Sequence, residues 1–417
     1  MQTPWRIAAR AAKSAVAVAR RAQSSSSSSS SSSSFRPLSH LTEDEEMMRD
    51  TVRRLADEEI RPLVRKMESD KRIDQGLLKK LHESGVMGME IPAEYGGTGA
   101  NFTSTMIAVE ELAKVDASIA VLVDIQNTLI NAIVRNVGSE EQKREYLPRL
   151  AGQYAGSFCL SEVVSGSDAF ALKSSAKRDG EHYVLNGSKM WISNSDIAGL
   201  FVVFVNADPS AGYRGITAFL VERDTPGLKI ARPESKLGLE ASGTCAVHLE
   251  DVRVPASAVL GKVGQGYRYA ASLLNESRIG IGAQQLGIAQ GCLDATVPYT
   301  LERKQFGQEI FSFQALQHQL AQMAMEVECA RLLVYNAARK LEHGEDVMRE
   351  AAMAKLYASE MAQRVTSKCI DLMGGVGFTK DYPQEKYFRD CKAGTIYEGT
   401  SNMQLTTIAK SIRQQYS

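Results

Sequence analysis

The sequence predicts a mostly helical α+β protein. It would have an N-terminal helical domain, a middle antiparallel β-barrel or sandwich, and a C-terminal four-helix bundle. Apolar residues recur with helical spacing between residues 41 and 155, as at Met48, Val52 and Leu55. From residue 156 to 265 the chain consists of short β-rich runs separated by turn residues, and helical spacing then returns for residues 266–417.

The first 40 residues are predicted to be a mitochondrial transit peptide, which we exclude from the fold. Residues 1–42 contain no Asp or Glu, and an eleven-serine run extends from Ser24 to Ser34. A segment rich in arginine and serine and free of acids is typical of mitochondrial targeting. A merely disordered tail is the alternative. The basic residues of the segment are Arg6, Arg10, Lys13, Arg20, Arg21 and Arg36.

The N-terminal domain, residues 41–155, is predicted to begin at a capping box. Thr42 stands three residues before Glu45, and Ser139 stands three residues before Gln142. In such pairs the hydroxyl and the longer side chain each accept a hydrogen bond from the other's backbone N–H, which favours a helix start. Both positions are therefore expected to open helices.

The middle domain, residues 156–265, is predicted from short β-rich runs such as Leu200–Val205 and Ile216–Val221. Turn residues separate the runs, as at Asn186-Gly187. No helices of 10–15 residues alternate with these strands, which argues against a doubly wound sheet and for an antiparallel barrel or sandwich.

The C-terminal domain, residues 266–417, is predicted to be a bundle of four helices. Long helical patterns cover about 266–302, 314–342 and 347–373, and a shorter one follows Asn402. Short connections between long helices favour an up-down arrangement.

Composition excludes several classes of function. Lys+Arg and Asp+Glu are both 49, so nothing favours bulk electrostatic binding to nucleic acid. The six cysteines form no C-x-x-C pair and the six histidines no ligand-spaced cluster, so we expect no metal site. No apolar run was expected to approach the ~20 residues of a membrane span, and no integral membrane association is predicted.

Glu398 is the first candidate catalytic residue. It is the only formally charged residue between Lys392 and Lys410, and Gly399 follows it. An acid among apolar and small polar residues is a candidate for burial and a raised pKa, which a general base working near neutral pH requires. The alternative is a surface acid in a turn before a helix.

Four further stretches carry candidate ligand contacts, each with an ordinary structural alternative. The stretch Ser161–Asp168 either offers backbone and hydroxyl donors to a ligand or forms a hairpin turn. Trp191 either packs against a planar ligand or lies in the core. Arg303, near Gln314, is a phosphate partner or a solvated surface residue. The stretch Met373–Gly377 either brings the backbone close to a ligand or ends a helix as a C-cap and turn.

The order and spacing of these runs resemble the acyl-CoA dehydrogenase family, from about residue 40 to the C-terminus. The matching runs are Phe158-Cys159-Leu160-Ser161-Glu162, Lys189-Met190-Trp191-Ile192-Ser193, Glu302-Arg303-Lys304-Gln305-Phe306-Gly307, Met373-Gly374-Gly375-Val376-Gly377 and Tyr397-Glu398-Gly399-Thr400-Ser401-Asn402. One departure is visible. Val163 and Val164 stand where the family usually has Gly and Ala, which puts the local FAD-loop contacts in doubt.

The resemblance implies FAD as cofactor. Arg303 would meet the pyrophosphate, while Gln314 and the segment Asp371–Gly375 would reach the FAD of a neighbouring subunit in a homotetramer. The FAD-binding positions that match the family are Phe158, Cys159, Leu160, Ser161, Ser167, Trp191, Ile192, Ser193, Arg303, Gln314, Asp371, Leu372, Met373, Gly374, Gly375, Thr400, Ser401 and Asn402.

The resemblance also implies an acyl-CoA substrate. The runs Asn275–Gly280 and Glu385–Asp390 are most similar to members acting on short, 2-methyl-branched acyl-CoA in fatty-acid and isoleucine catabolism in the mitochondrial matrix. A straight short-chain or isobutyryl-CoA dehydrogenase is the alternative. The acyl-CoA contacts that match by position are Ser167, Tyr213, Tyr267, Asn275, Glu276, Ser277 and Arg278.

The resemblance further implies that Glu398 removes the α-proton of the thioester and that FAD accepts the β-hydride. The product is a trans-2-enoyl-CoA, and electrons pass on to electron-transfer flavoprotein. Some relatives carry the base at the position of Ser277, which cannot serve as a base, and Glu276 lies about 100° away around the helix. Three rival hypotheses are disfavoured. Acyl-CoA oxidases are usually much longer, and flavin monooxygenases of this fold lack the acid at Glu398. The intact acid and FAD motifs argue against a non-catalytic helical scaffold or assembly factor.

Overall fold

The computed structural model describes residues 37–417, of which Leu41–Ser417 forms one compact unit. The predicted serine run and nearly all of the predicted transit peptide lie outside the described residues. The three regions of the predicted fold follow one another along the chain, helical, β and helical. The domain boundaries after residues 155 and 265 stay predictions.

The N-terminal helices begin where side chains cap them. Thr42 Oγ1 accepts from Glu45 N at 3.3 Å while Glu45 Oε2 accepts from Thr42 N at 2.9 Å, and Ser139 forms the same box with Gln142. Both predicted capping boxes are confirmed. A short π-helical and 3-10 passage, Ala56–Leu63, follows α1. The helices are α1 Glu43–Leu55, α2 Val64–Asp70, α3 Gln75–Glu83, α4 Phe102–Ala113, α5 Ala117–Asp124, α6 Ala132–Val137 and α7 Glu140–Gly152.

The expectation that no apolar run reaches the length of a membrane span was wrong. The continuous helical stretch Ala117–Val137 has 21 residues, and an 18-residue window within it has a mean hydropathy of 1.6 and is wholly buried inside the protein. A π-helical segment, Ile125–Asn131, joins α5 to α6. Polar side chains of this segment form hydrogen bonds within the protein. Asn127 Nδ2, for example, donates to Val86 O at 2.8 Å. The stretch is thus packed as a core helix.

The middle region forms one eight-stranded sheet in the order β6-β7-β3-β2-β4-β5-β8, with β1 also pairing β4. Most strand pairs are antiparallel, as predicted, but β1 and β2 each run parallel to β4. The strands are β1 Ala155–Cys159, β2 Ser175–Asp179, β3 His182–Ser193, β4 Ala198–Asn206, β5 Ile216–Glu222, β6 Leu228–Ile230, β7 Thr244–Pro255 and β8 Val259–Leu260.

Strand β4 is apolar without interruption because both of its faces are covered. Leu200, Val202 and Phe204 pack in a cluster with the helical residues Ile130 and Ile133, whereas the alternate residues of the strand pack in the core on the opposite face of the sheet. A strand buried on both faces loses the polar alternation of an edge strand. The sheet therefore docks firmly on the helices that carry the site.

The C-terminal helices begin and end where the sequence predicts. They are α8 Gly266–Glu302, α9 Gln314–Glu342, α10 Met348–Met373, α11 Gln384–Cys391 and α12 Ser401–Tyr416. The short helix α11 was not predicted. The turn after Arg303 is a small hairpin of β9 Lys304–Gln305 and β10 Gln308–Glu309, in which Phe306 and Gly307 both have positive φ.

Helix α8 lies at the centre and contacts α4 closely. A Cβ added at Gly287 would lie 2.3 Å from the carbonyl oxygen of Glu110, and one added at Gly291 would lie 2.3 Å from that of Lys114. These glycines, one turn apart, let the two helix backbones approach. This packing brings α5, which follows α4, beside the first half of α8, where Ser277 and Arg278 lie.

Candidate active site

Glu398 lies in a sharp bend between a 3-10 turn and α12. It adopts φ +50°, a left-handed conformation that is rare for a non-glycine residue, and Gly399 follows with φ +87°. Such backbone persists only where surrounding contacts hold it, and it clusters at functional sites. Thr400 then caps α12, accepting from Met403 N at 3.4 Å.

Two buried side chains hold this bend. Nε2 of Gln404 donates to the carbonyl oxygens of Glu398 at 3.0 Å and of Gly399 at 2.9 Å. Nζ of Lys355, from α10, donates to the Gly399 carbonyl at 2.6 Å. The side chains of Gln404 and Lys355 are fully buried. The left-handed conformation of Glu398 is therefore fixed by α10 and α12 together.

The Glu398 carboxyl is desolvated although the residue as a whole is only half-buried. Its Oε2 is shielded from solvent and has no hydrogen-bond partner among the described residues. Burial raises the pKa of the carboxyl above its usual value, while the Ser277 hydroxyl and the charges of Arg278 and Lys355 lower it. Ser277 Oγ likewise has no partner at hydrogen-bonding distance. The result is an acid whose basicity is increased, as a general base requires.

A second acid, Asp124 of α5, lies buried close to Glu398. Burial and the charge of Glu398 raise its pKa well above the usual value. Oδ1 accepts from Thr128 at 3.2 Å, whereas Oδ2 has no partner among the described residues. A Cβ added at Gly280 of α8 would lie 1.8 Å from Oδ1, so only glycine fits there. Burial and the neighbouring Glu398 charge thus both favour the protonated form of Asp124.

Tyr397 connects the bend to the helices beneath it. Its hydroxyl donates to Oε1 of Gln284 on α8, and Nε2 of Gln284 donates to the carbonyl oxygen of Ala117 at 2.9 Å. Burial raises the pKa of the Tyr397 hydroxyl well above its usual value. The bend before α12 is thereby tied to α8 and α5.

Helix α8 presents its predicted substrate residues on different faces. Ser277 and Arg278 lie beside Glu398, and Arg278 Nη1 donates to Asn275 Oδ1 at 2.9 Å. Burial lowers the pKa of Arg278, an effect that Glu398 opposes. Glu276 lies beside Glu90 instead. Burial and the Glu90 charge raise the pKa of Glu276 to about 7.

The ends of β1 and β3 bring together the residues predicted to hold the flavin ring. Met190 N donates to Ser161 O at 2.9 Å, and Ser157 Oγ donates to Ser193 O at 2.9 Å. Trp191 has φ +65° and is 60% exposed, so it is not a core residue. Three predicted residues, Cys159, Leu160 and Ile192, have buried side chains and offer a ligand only their backbone. Phe158 is half-buried, and its ring packs against Phe204 at 4.8 Å.

A buried ion pair supports this loop from below. Nζ of Lys189 lies 2.7 Å from Oε1 of Glu162, and Oε2 of Glu162 accepts from Lys173 N at 2.6 Å. Glu162 and Ser165 pair through their backbones in both directions, so Val163 and Val164 form the tip of a tight turn. These valines are 80% and 66% exposed. Their side chains therefore point away from the loop's own packing.

Two further predicted acyl-CoA contacts, Tyr213 and Tyr267, form a partly exposed aromatic surface at the start of α8. The rings of Tyr213 and Tyr267 meet edge to face with centroids 5.0 Å apart, and Phe170 packs against Tyr267 at 6.4 Å. Ser167 is exposed on the loop that leads to Phe170.

The other predicted FAD residues lie at or near helix ends, and most of them are exposed. The side chains of Arg303 and Gln314 make no hydrogen bond to another described residue, and Asp371 forms an exposed pair with Lys368 at 3.6 Å. Gly374 ends α10 with φ +64°, and Gly375 beside it is exposed as well. Leu372 and Met373 are buried core residues. Ser401 and Asn402 lie in the first turn of α12.

Sequence reasoning missed three residues that shape the site: Asp124, Lys355 and Gln404. Two of them carry a signal in retrospect, because Asp124 and Lys355 are single charges within apolar helical stretches. A surface cavity of about 1230 Å³ between α7 and the sheet contains none of the predicted site residues. We therefore do not assign the chemistry to that cavity.

The geometry agrees with comparisons against known proteins. The domain families described as Acyl-CoA dehydrogenase N-terminal domain, middle domain and C-terminal domain match residues 42–153, 157–252 and 264–413. This chain belongs to the acyl-CoA dehydrogenase family. The family's three-domain fold, helical, β and helical, is the fold described above.

Relatives and solved structures match over nearly the whole chain. The mitochondrial short/branched chain specific acyl-CoA dehydrogenase of Bos taurus is 57% identical over 91% of this chain and 88% of its own. A structure described as the electron transferring flavoprotein of Acidaminococcus fermentans superposes with a TM-score of 0.88 at 40% identity, over 90% and 99% of the two chains. A Mycobacterium smegmatis glutaryl-CoA dehydrogenase in complex with FADH2 gives 0.85 at 34% identity, over 89% and 95%.

Proposed function

We propose that this protein is a mitochondrial, FAD-dependent dehydrogenase of short branched-chain acyl-CoA, with Glu398 as the catalytic base. One observation carries the assignment of the base. Glu398 combines a desolvated carboxylate oxygen with a backbone bend held by Gln404 and Lys355. The alternative position on α8 is occupied by Ser277, which cannot accept the α-proton.

The described residues fit FAD at the ends of β1 and β3. Trp191 is exposed beside Ser193, and Oδ1 of the buried Asn194 has no partner among the described residues, leaving a free acceptor at the same place. Arg303, exposed and without a carboxylate partner, suits a pyrophosphate. Bound there, FAD supplies the acceptor for the hydride that leaves the acyl β-carbon.

Glu398 removes the α-proton of the thioester. A free carboxylate is too weak a base for this step, so the developing enolate must be stabilised. The backbone N–H of Glu398 makes no hydrogen bond to another described residue, and it is therefore available to the thioester oxygen. Desolvation keeps the carboxylate basic, and the product is a trans-2-enoyl-CoA.

The substrate class, partners and location follow from the relatives. The Bos taurus relative and one from Rattus norvegicus, also 57% identical, are named as mitochondrial and specific for short and branched chains. We extend to this chain a 2-methylbutyryl-CoA-like substrate, a matrix location and electron transfer to electron-transfer flavoprotein. The exposed Arg303, Gln314 and Gly374 support a homotetramer in which neighbouring subunits complete each FAD site.

A turnover panel tests this function. The purified protein should carry FAD and oxidise butyryl-, isobutyryl-, 2-methylbutyryl-, isovaleryl- and octanoyl-CoA at different rates with an artificial electron acceptor. We expect 2-methylbutyryl-CoA to be among the best substrates. A ranking with it among the poorest contradicts the substrate class, and a protein that takes up no FAD contradicts the function as a whole.

A further inference from the structure

Two buried polar atoms beside the bend have no hydrogen-bond partner among the described residues. Ser277 of α8 is fully buried, and its Oγ makes no hydrogen bond to another described residue. Oε2 of Glu398 is buried and equally unpaired. A hydroxyl can donate and a carboxylate can only accept, so the two atoms are complementary. Buried polar atoms that stay unpaired are costly, which favours contact between them.

We propose that Ser277 is a positioning residue for the base: its hydroxyl donates to the Glu398 carboxylate and holds it ionised and oriented until the acyl group arrives. The inference rests on the proposed function, in which Glu398 is the base. Serine has three staggered χ1 positions, so the hydroxyl can make and release this contact without moving α8.

The other polar groups around the Glu398 carboxylate are less available than Ser277 to donate a hydrogen bond to it. Lys355 of α10 already donates to the Gly399 carbonyl, and the Tyr397 hydroxyl donates to Gln284. Asp124 of α5 lies in a buried site that raises its pKa, and its Oδ1 accepts from Thr128. Arg278 is the one competitor on α8, since its buried Nε is also unpaired and its charge lowers the pKa of Glu398.

A hydrogen bond to the ionised form of an acid lowers its pKa. The hydroxyl of Ser277 lowers the pKa of Glu398 in this way and opposes the effect of burial. Its removal therefore raises the pKa of the base and decreases the fraction that is ionised at slightly acidic pH. A residue that only contacts substrate changes binding at every pH instead.

The pH dependence of FAD reduction in a single turnover tests the role of Ser277. For Ser277→Ala we expect the acidic limb of the pH–rate profile to move to higher pH, so that the rate falls about two- to tenfold more on that limb than on the plateau. Ser277→Thr, which restores a hydroxyl, should return the limb towards the wild-type position. Ser118→Ala removes another buried, unpaired hydroxyl, on α5, and should leave the limb in place.

An unshifted limb in Ser277→Ala, or the same loss of rate at every pH, overturns the inference. Ser277→Gly provides the same comparison if the alanine variant takes up no FAD. A wild-type protein whose FAD is reduced by none of the acyl-CoA substrates contradicts the proposed function itself. An active wild type with an unshifted alanine variant contradicts only the role of Ser277.

Discussion

Nζ of Lys355 donates to the carbonyl oxygen of Gly399 at 2.6 Å and thereby joins the middle of α10 to the residue that follows the base. Burial lowers the pKa of Lys355 to about 8, although the Glu398 charge opposes this effect. Lys355 thus remains largely charged at neutral pH. It acts on the base both through the backbone and through its charge.

Lys355→Met should lower the rate of FAD reduction and move its acidic limb to higher pH. The variant loses a positive charge that favours ionised Glu398, and it also loses a hydrogen bond that holds the bend. We expect a fall of about tenfold or more at pH 7, since a hydrogen bond to a charged group is worth about 1.5–3 kcal/mol. Stopped-flow absorbance at several pH values measures it, with the exposed Lys410→Met as control. A loss of rate without any shift of the acidic limb would show that Lys355 acts only by holding the bend.

Glu398→Gln should retain FAD and bind acyl-CoA but reduce its FAD at least about 10³-fold more slowly, within the range for a lost general base. Glutamine keeps the shape of the side chain and removes its basicity. The exposed Glu360→Gln on α10 is the matched control. Flavin bleaching at the wild-type rate in Glu398→Gln would show that the base lies elsewhere.

Asp124→Asn should stabilise the protein above pH 5. The folded-state pKa of Asp124 is raised above its ordinary value, so the unfolded chain loses this proton at a lower pH than the folded chain. Asp124 therefore costs stability increasingly as pH rises above its ordinary pKa, and no such cost remains below it. Asparagine removes the titration, and Tm at pH 8 should rise by about 1–2 °C for each kcal/mol gained in a chain of this size.

Tm of wild type and Asp124→Asn, measured from pH 4 to 8, checks this sign. The difference should shrink as the pH falls to 4. A difference that is constant with pH would show that Asp124 is ionised in the folded protein. The exposed Asp294→Asn on α8 serves as control.

Lys189→Met should strongly destabilise the loop Ser161–Asp168. Its partner Glu162 would be left as a buried carboxylate without its cation, and breaking a buried pair from one side costs about 3–5 kcal/mol. The double variant Glu162→Gln/Lys189→Met removes both charges and should recover part of this loss. Denaturant unfolding and FAD titration measure the two effects. A double variant no more stable than Lys189→Met would contradict the pair's role.

Local patterns predicted much of the fold. The bounds of α8 and α9 follow from apolar spacing, and Thr42 and Ser139 cap the helices as expected. Each of these depends on residues within a few positions along the chain, where capping and periodicity act. The parallel pairing of β1 with β4 is different, since it joins residues some 40 positions apart, as in Phe158 with Val202.

The sequence by itself determined the family, the helices and the identity of the candidate base, because Glu398 stands alone within a motif that is contiguous in the chain. Only the tertiary structure decided what surrounds that base. Asp124 and Lys355 come from different helices, and Gln404 folds back from α12, so their effect on Glu398 arises from packing alone. A pKa depends on desolvation and neighbouring charges in space, and neither is encoded by spacing along the chain.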